Sequence, residues 1–182
     1  FDTLEFTLLT GDMFMDLLLN TMLAPSLPPA GYDLILIFDP TSGPYAPTFS
    51  ARTGGGEYNL GTYHWDPGFG PPMEFQANMN GMLYDTAGQD ITTVFVIPSL
   101  GSLTLYHYYS EGQFDPSMSV ITDGFLYGEM SEADASLLPN PLDPTESVAD
   151  ILGANRALDA DTDGDGVLDG WTVEADFTAF LF

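Results

Sequence analysis

Tyr32-Asp33-Leu34-Ile35-Leu36-Ile37-Phe38-Asp39-Pro40 is a continuous apolar run closed by Asp-Pro and followed by a Ser42-Gly43-Pro44 turn. Such a run suits a strand buried on both faces. Its β-branched and aromatic side chains fit a pleated surface, and the proline cannot continue the ladder.

The same vocabulary recurs on either side. Upstream, Leu4, Phe6 and Leu8 alternate with Thr3, Glu5 and Thr7, the two-residue period of a half-buried strand. After Thr10-Gly11-Asp12, a more uniformly apolar run from Met13 to Leu19 reads as a second strand. A helix over Met13 to Leu23 stays open, because Met13, Leu17 and Leu18 would share one face. Ala24-Pro25-Ser26-Leu27-Pro28-Pro29 ends either version as a connector.

Downstream, further strands are expected at Thr48–Arg52, Glu57–Leu60, Met73–Gln76, Ile91–Ile97, Leu103–Tyr109, Met118–Thr122 and Phe125–Gly128. Turn residues separate them at Gly54-Gly55-Gly56, Asp66-Pro67-Gly68, Asn80-Gly81, Ala87-Gly88, Pro98-Ser99, Glu111-Gly112 and Asp123-Gly124. Many short strands with regular punctuation and little helix predict an all-β domain over residues 1–130, an antiparallel β-sandwich of jelly-roll type.

Residues 131–182 read as a C-terminal extension. Ser131 with Asp134 offers a capping box for a short helix through Leu138 that ends at Pro139-Asn140-Pro141. Asp143-Pro144-Thr145-Glu146 predicts a second helix with Asp143 as N-cap, Val148, Ile151 and Leu152 on one face, and Gly153 as its stop. At the end, Trp171, Val173, Ala175, Phe177 and Ala179 alternate with Thr172, Glu174, Asp176 and Thr178, which is a terminal strand with one apolar face.

Between helix and strand lies Asp159-Ala160-Asp161-Thr162-Asp163-Gly164-Asp165-Gly166-Val167-Leu168-Asp169. Alternate aspartates on a tightly curled backbone aim at one centre, and Ca2+ takes six to eight oxygens at roughly 2.3–2.6 Å. In the frame of an EF-hand loop that starts at Asp161, Asp163 and Asp165 fall at positions 3 and 5 and Gly166 at the sharp turn. Val167 then offers its carbonyl at 7, and Asp169 stands at 9. Thr172 occupies the place of the bidentate glutamate, with Glu174 two residues on. Asp159 or Glu174 is expected to complete the set. A solvated acidic turn is the alternative reading, with Arg156 the one neighbouring basic charge.

Charge narrows the partners. The 182 residues carry 27 acidic and 2 basic side chains, a net charge of −25, which excludes nucleic acid and disfavours anionic membranes; divalent cations are the natural counterions. A hydrophobic fraction of 45% argues against disorder in spite of that charge. The absence of cysteine rules out a disulfide framework and a thiol nucleophile. No run of 18 apolar residues is present, so no membrane span is expected. A start at Phe1 rather than Met suggests a leader that has been removed or lies outside this sequence, and a calcium loop favours an extracellular or cell-surface location as the expectation.

Four motifs carry a resemblance. Asp33-Leu34 through Asp39-Pro40 with Gly43, Gly81-Met82-Leu83-Tyr84-Asp85, Gly88-Gln89-Asp90-Ile91, and Gly101-Ser102-Leu103-Thr104-Leu105-Tyr106-His107-Tyr108-Tyr109-Ser110-Glu111-Gly112 follow one another in order. Their succession resembles the secreted bacterial β-sandwich domains of the YfaP-like and pre-peptidase C-terminal kinds, over roughly residues 32–124. The acidic loop is similar to thrombospondin type 3 repeats, which implies calcium. Against that pattern the first strand has one residue too many, which implies a bulge, and the stretch from Arg52 to Met73 looks like an insertion.

No catalytic signature stands out, and no enzyme is expected. His64 and His107 are the only histidines, and no G-x-S-x-G or lysine-bearing phosphate loop is present. Two readings stay open. One is a structural subunit of an extracellular filament, in which copies of the chain exchange terminal strands and calcium stiffens the joint. The other is a monomeric adhesion or carbohydrate-binding module, whose Tyr63-His64-Trp65 and Tyr106-His107-Tyr108-Tyr109 clusters would stack on glycans.

Overall fold

The computed structural model describes residues 3–8, 16, 33–39, 48–59, 62–65, 73–97, 101–117, 120–140 and 143–180. In chain order the strands are β1 (Thr3–Leu8), β2 (Asp33–Asp39), β3 (Thr48–Asn59), β4 (Thr62–Trp65), β5 (Met73–Asn80), β6 (Leu83–Asp85), β7 (Thr93–Ile97), β8 (Gly101–Phe114) and β9 (Val120–Ser131). The helices α1 (Glu132–Ala135) and α2 (Val148–Asn155) follow, then β10 (Gly170–Phe180). The described chain is mostly antiparallel β-sheet, in the order β1-β10-β9-β8-β6-β5-β3-β2, with β4 on β3 and β7 on β8.

β8 organises this path because it is long enough to serve three neighbours. One edge pairs with β9; the other is shared, Gly101 to Leu105 with β7 and Glu111 to Gln113 with β6. β7 also lies against β3 and β2, from the far end of the path.

Several expected turns are absorbed into strands. Gly54-Gly55-Gly56 does not separate two strands but runs inside β3, opposite Ile35, Leu34 and Asp33. Glycines extend as readily as they turn, and pairing with β2 decides between the two. The register of β2 on β3 is unbroken from Asp33↔Gly56 to Asp39↔Ser50, so the bulge expected in that strand is absent. The stretch read as an insertion holds β4, which folds back on β3 through the pair Asn59↔Thr62.

Glu111-Gly112 likewise lies within β8. A Cβ on Gly112 would stand 2.8 Å from both Ile121 Cγ2 and Tyr84 Cε1, so this glycine serves close packing rather than a turn. Asp123-Gly124 is a bulge inside β9, with Asp123 at φ 49°. Turns do form at Gly81 and Gly88, at φ 66° and 79°, as Asn80-Gly81 and Ala87-Gly88 predict.

Two residues in left-handed conformation set which side chains reach the core. On β8, Leu103 and Leu105 are buried before His107, and Tyr108, Ser110 and Phe114 after it. His107 has φ 48°, and the register on β9 slips between Tyr106 and Tyr109. One extra residue reverses the facing of everything beyond it. Asp123 does the same on β9, where Ile121 is buried before it and Leu126 and Met130 after it.

Leu138 of the segment after α1, Val148 and Leu152 of α2, and Trp171, Val173, Ala175, Phe177 and Ala179 of β10 share one buried cluster with these residues. The terminal strand is therefore an interior member of its own sheet, with β1 on one side and β9 on the other.

Ser131 caps α1 as expected, accepting the Asp134 N–H at 3.0 Å, but the helix ends at Ala135. The N-cap of α2 is Ser147, not Asp143. Ser147 and Asp150 form a reciprocal capping box, whereas Asp143 closes a local turn on the Thr145 N–H at 3.0 Å. Gly153 lies inside α2, which Arg156 ends.

Asp16 is helical and buried, which departs from the strand expected over Met13 to Leu19 and agrees with the helical alternative at that residue. The rest of that run, the proline connector, the turns at Ser42-Gly43-Pro44, Asp66-Pro67-Gly68 and Pro98-Ser99, and Pro141 lie outside the described residues. Among the described residues no helix is long and apolar enough to cross a membrane.

Candidate metal centre

Ala160 and Gly170 close the acidic loop at its base. Each donates its N–H to the other's carbonyl at 3.1 Å. Just inside, the Thr162 N–H and hydroxyl both donate to Asp169 Oδ1, at 2.8 and 2.9 Å, and the hydroxyl also lies 2.9 Å from Oδ2. The Asp169 carbonyl accepts the Glu132 N–H, at the start of α1, at 2.8 Å. The loop is thus anchored to the ends of β9 and β10 before any ion is considered.

Its interior is curled by its own aspartates. Asp161 Oδ1 accepts the N–H groups of Gly164 and Asp165 at 2.9 and 3.1 Å, and Oδ2 accepts that of Gly166 at 2.8 Å. Asp163 Oδ1 takes the Asp165 N–H at 3.1 Å, and Asp165 Oδ1 takes the Val167 N–H at 2.8 Å. Gly164 and Gly166 sit at φ 75° and 89°, where a side chain would be strained.

The outcome is convergence. One carboxylate oxygen from each of Asp161, Asp163 and Asp165 lies within 4.8 Å of the other two. Two unit charges at such a spacing repel by about 1 kcal/mol in bulk water and about 3–4 kcal/mol at the screening typical of a protein surface. An all-oxygen, anionic cluster of this size can hold a hard cation.

The other residues expected in the set are placed differently. Asp159 Oδ1 accepts the Thr172 N–H at 2.8 Å, and its Oδ2 pairs with the Arg156 guanidinium. Arg156 also donates to the Thr172 carbonyl at 2.8 Å. Burial pushes the Asp159 carboxyl upward, but the Thr172 and Arg156 donors more than offset it and hold it below the ordinary value of 3.8. Asp169 turns its carboxylate to Thr162. Glu174 stands in β10, opposite Tyr127 of β9 and Leu8 of β1. Val167 is exposed at the rim.

Sequence reasoning missed Thr162 and noted Thr172 only as the residue in the glutamate's place; both hold aspartates of the loop without carrying charge. It noted Arg156 only as a neighbouring charge. Its rarity in so acidic a chain, three residues before Asp159, was the available signal.

The aromatic residues of β8 and β9 are a separate place. Tyr106 donates to Asp134 at 3.0 Å, Tyr127 to Glu129 at 2.8 Å, and Tyr109 to Glu111. Burial and the Glu129 carboxylate push the Tyr127 hydroxyl up to about 12. His107 is exposed, its Nδ1 3.0 Å from Asp90 Oδ1 and its Nε2 3.9 Å from Glu129 Oε2. The side chains of the Tyr63-His64-Trp65 cluster lie outside the described residues. No family model, curated protein or solved structure matches the chain.

Proposed function

We propose that this chain is a structural subunit of an extracellular or cell-surface assembly, a filament or fibre in which copies join by β-strand addition and calcium stiffens the joint. The observation that carries it is the convergence of Asp161, Asp163 and Asp165 in a loop anchored to β9 and β10. Ca2+ would bind those carboxylates and the Val167 carbonyl. Asp169 would act from position 9, where a water often intervenes. Asp159 and Glu174 would contribute as outer charges.

A jelly-roll-like sandwich is the architecture assumed, and the approach of β7 to β3 and β2 supports a sheet that curls back on itself. The motif resemblance to secreted bacterial sandwich domains belongs to the same proposal, which assigns no catalysis. Extracellular calcium modules bind at about 10⁻⁴–10⁻³ M, so occupancy would follow the external ion. Negative-stain microscopy of the chain in millimolar calcium and in chelator is the test. Regular polymers in calcium that disperse in chelator are expected; monodisperse single particles in both would reject the assembly reading.

The adhesion-module reading has its own observation. Tyr106, Tyr109 and Tyr127 are only partly buried, with their hydroxyls tied to carboxylates, an arrangement suited to stacking on glycans. Particles that stay single and bind an oligosaccharide would favour it.

A further inference from the structure

The outward side of β8, β9 and β10 is ordered in rows by register. Glu174, Tyr127 and Tyr109 stand side by side across the three strands, and Asp176, Phe125 and Glu111 form the next row. Residues between them, such as Leu126 and Val173, are buried in the core, whereas every member of the two rows keeps part of its surface exposed. The second row continues into β6, where Asp85 is opposite Glu111. Like charges directly opposite each other destabilise a strand pair, and a cation placed between them removes that cost.

The chain has no cation to place there. Its two basic side chains are Arg52, which belongs to β3, and Arg156, whose guanidinium is committed to Asp159 and the Thr172 carbonyl. His107 stands at the other end of the face, beyond the first row, with Asp90 Oδ1 at 3.0 Å and Glu129 Oε2 at 3.9 Å. A second copy would bring the same net charge of −25. Whatever answers these carboxylates is therefore a different molecule.

The rings narrow its chemistry. Tyr109 donates to Glu111 and Tyr127 to Glu129, so each ring is held beside a carboxylate. Burial and the Glu111 carboxylate push the Tyr109 hydroxyl up, and the ring stays neutral. The face of a neutral aromatic ring attracts an ammonium or a guanidinium, and an adjacent carboxylate pulls the same way. A neutral glycan would use the rings and leave the carboxylates unanswered.

We infer that this side of the sheet docks an extended basic segment of another protein, with lysine or arginine at alternate positions. Successive rows are two residues apart along each strand, about 7 Å, which is also the interval between alternate side chains of an extended peptide. A segment lying along β9 thus brings one cation to each row. The inference goes beyond the assembly reading and uses neither the acidic loop nor strand addition.

The test is fluorescence anisotropy of a labelled, alternating Lys-Thr decapeptide titrated with the full chain in chelator. Saturable binding is expected. Glu111→Gln combined with Glu174→Gln should weaken it by roughly tenfold, and Tyr109→Ala by about two- to fivefold. Asp163→Asn combined with Asp165→Asn removes the same charge from the acidic loop and should change binding by less than about twofold. Equal losses from the two double variants would overturn the proposal, because the attraction would then be diffuse charge. Absence of saturable peptide binding would also overturn it, and cellohexaose binding in its place would give the rings to the adhesion reading.

Discussion

The Asp159 carboxylate accepts the backbone N–H of Thr172 at 2.8 Å, while Arg156, which pairs with the same carboxylate, donates to the Thr172 carbonyl at 2.8 Å. Two side chains thus occupy the edge of β10 where a neighbouring strand would otherwise pair. They also tie the end of α2 to the third residue of β10.

The first prediction concerns acid. The Asp159 carboxyl is held below 3.8, so its contribution is fully present above that value and is lost as the pH falls through the depressed one. In chelator, Asp159→Asn should melt lower than the wild type at pH 7, and the gap should close between pH 4 and the acid limit. A gap that stays constant from pH 7 to pH 3 would show that Asp159 contributes no proton-linked stability.

Calcium affinity should follow the converging trio rather than the charge count. Asp163→Ala and Asp165→Ala each remove an oxygen from the cluster and should weaken binding by roughly tenfold or more, since each carboxylate is a direct ligand in such a loop. Asp159→Asn should leave the affinity within about twofold, its loss being only a distant charge. Titration calorimetry on the three variants decides. Equal losses for all three would mean that binding is diffuse electrostatics.

Chelation should loosen the chain locally. Residues 156–169 lie between the end of α2 and the start of β10, so hydrogen exchange there should accelerate first when calcium is removed, with the core of β8 and β9 unchanged. Binding to the folded state alone stabilises by about 2.7 kcal/mol at a hundredfold excess over Kd. Identical exchange with and without chelator would reject the coupling.

Gly112→Ala probes the close packing of β8. Its added methyl would meet Ile121 and Tyr84, which are 0% and 2% exposed, and the Gly124 backbone at 3.3 Å. Overpacking of this kind costs about 1–3 kcal/mol. Thermal unfolding should show a clear drop in Tm; an unchanged Tm would mean that β9 moves aside freely.

Trp171→Ala should be the most damaging single change in β10. The indole is 1% exposed, packs within the common core and points its Nε1 to the Arg156 carbonyl at 3.5 Å. Truncating a buried tryptophan costs about 3–5 kcal/mol. Denaturant unfolding gives the number, and a loss below 1 kcal/mol would argue that the core at this end is loosely filled.

Local patterns determined a good part of this. The alternation of Trp171 to Ala179 made β10 legible, because one face had to be buried whatever covered it. The aspartate spacing from Asp161 to Asp165 made the loop legible, because side chains two residues apart on a curled backbone converge without outside help. The tertiary structure decided what a glycine or a carboxylate does when two meanings are open. Gly112 reads as a turn until Ile121 and Tyr84 close on it, and only the folded chain shows that Thr172 and Thr162 donate to the carboxylates of Asp159 and Asp169. The reversals of facing at His107 and Asp123 were also beyond the sequence. A bulge is a property of two strands in register, and neither residue type announces a positive φ by itself. Spacing along the chain fixes the local choices, whereas competition among distant partners for the same surface or hydrogen bond is settled only once the sheet has formed.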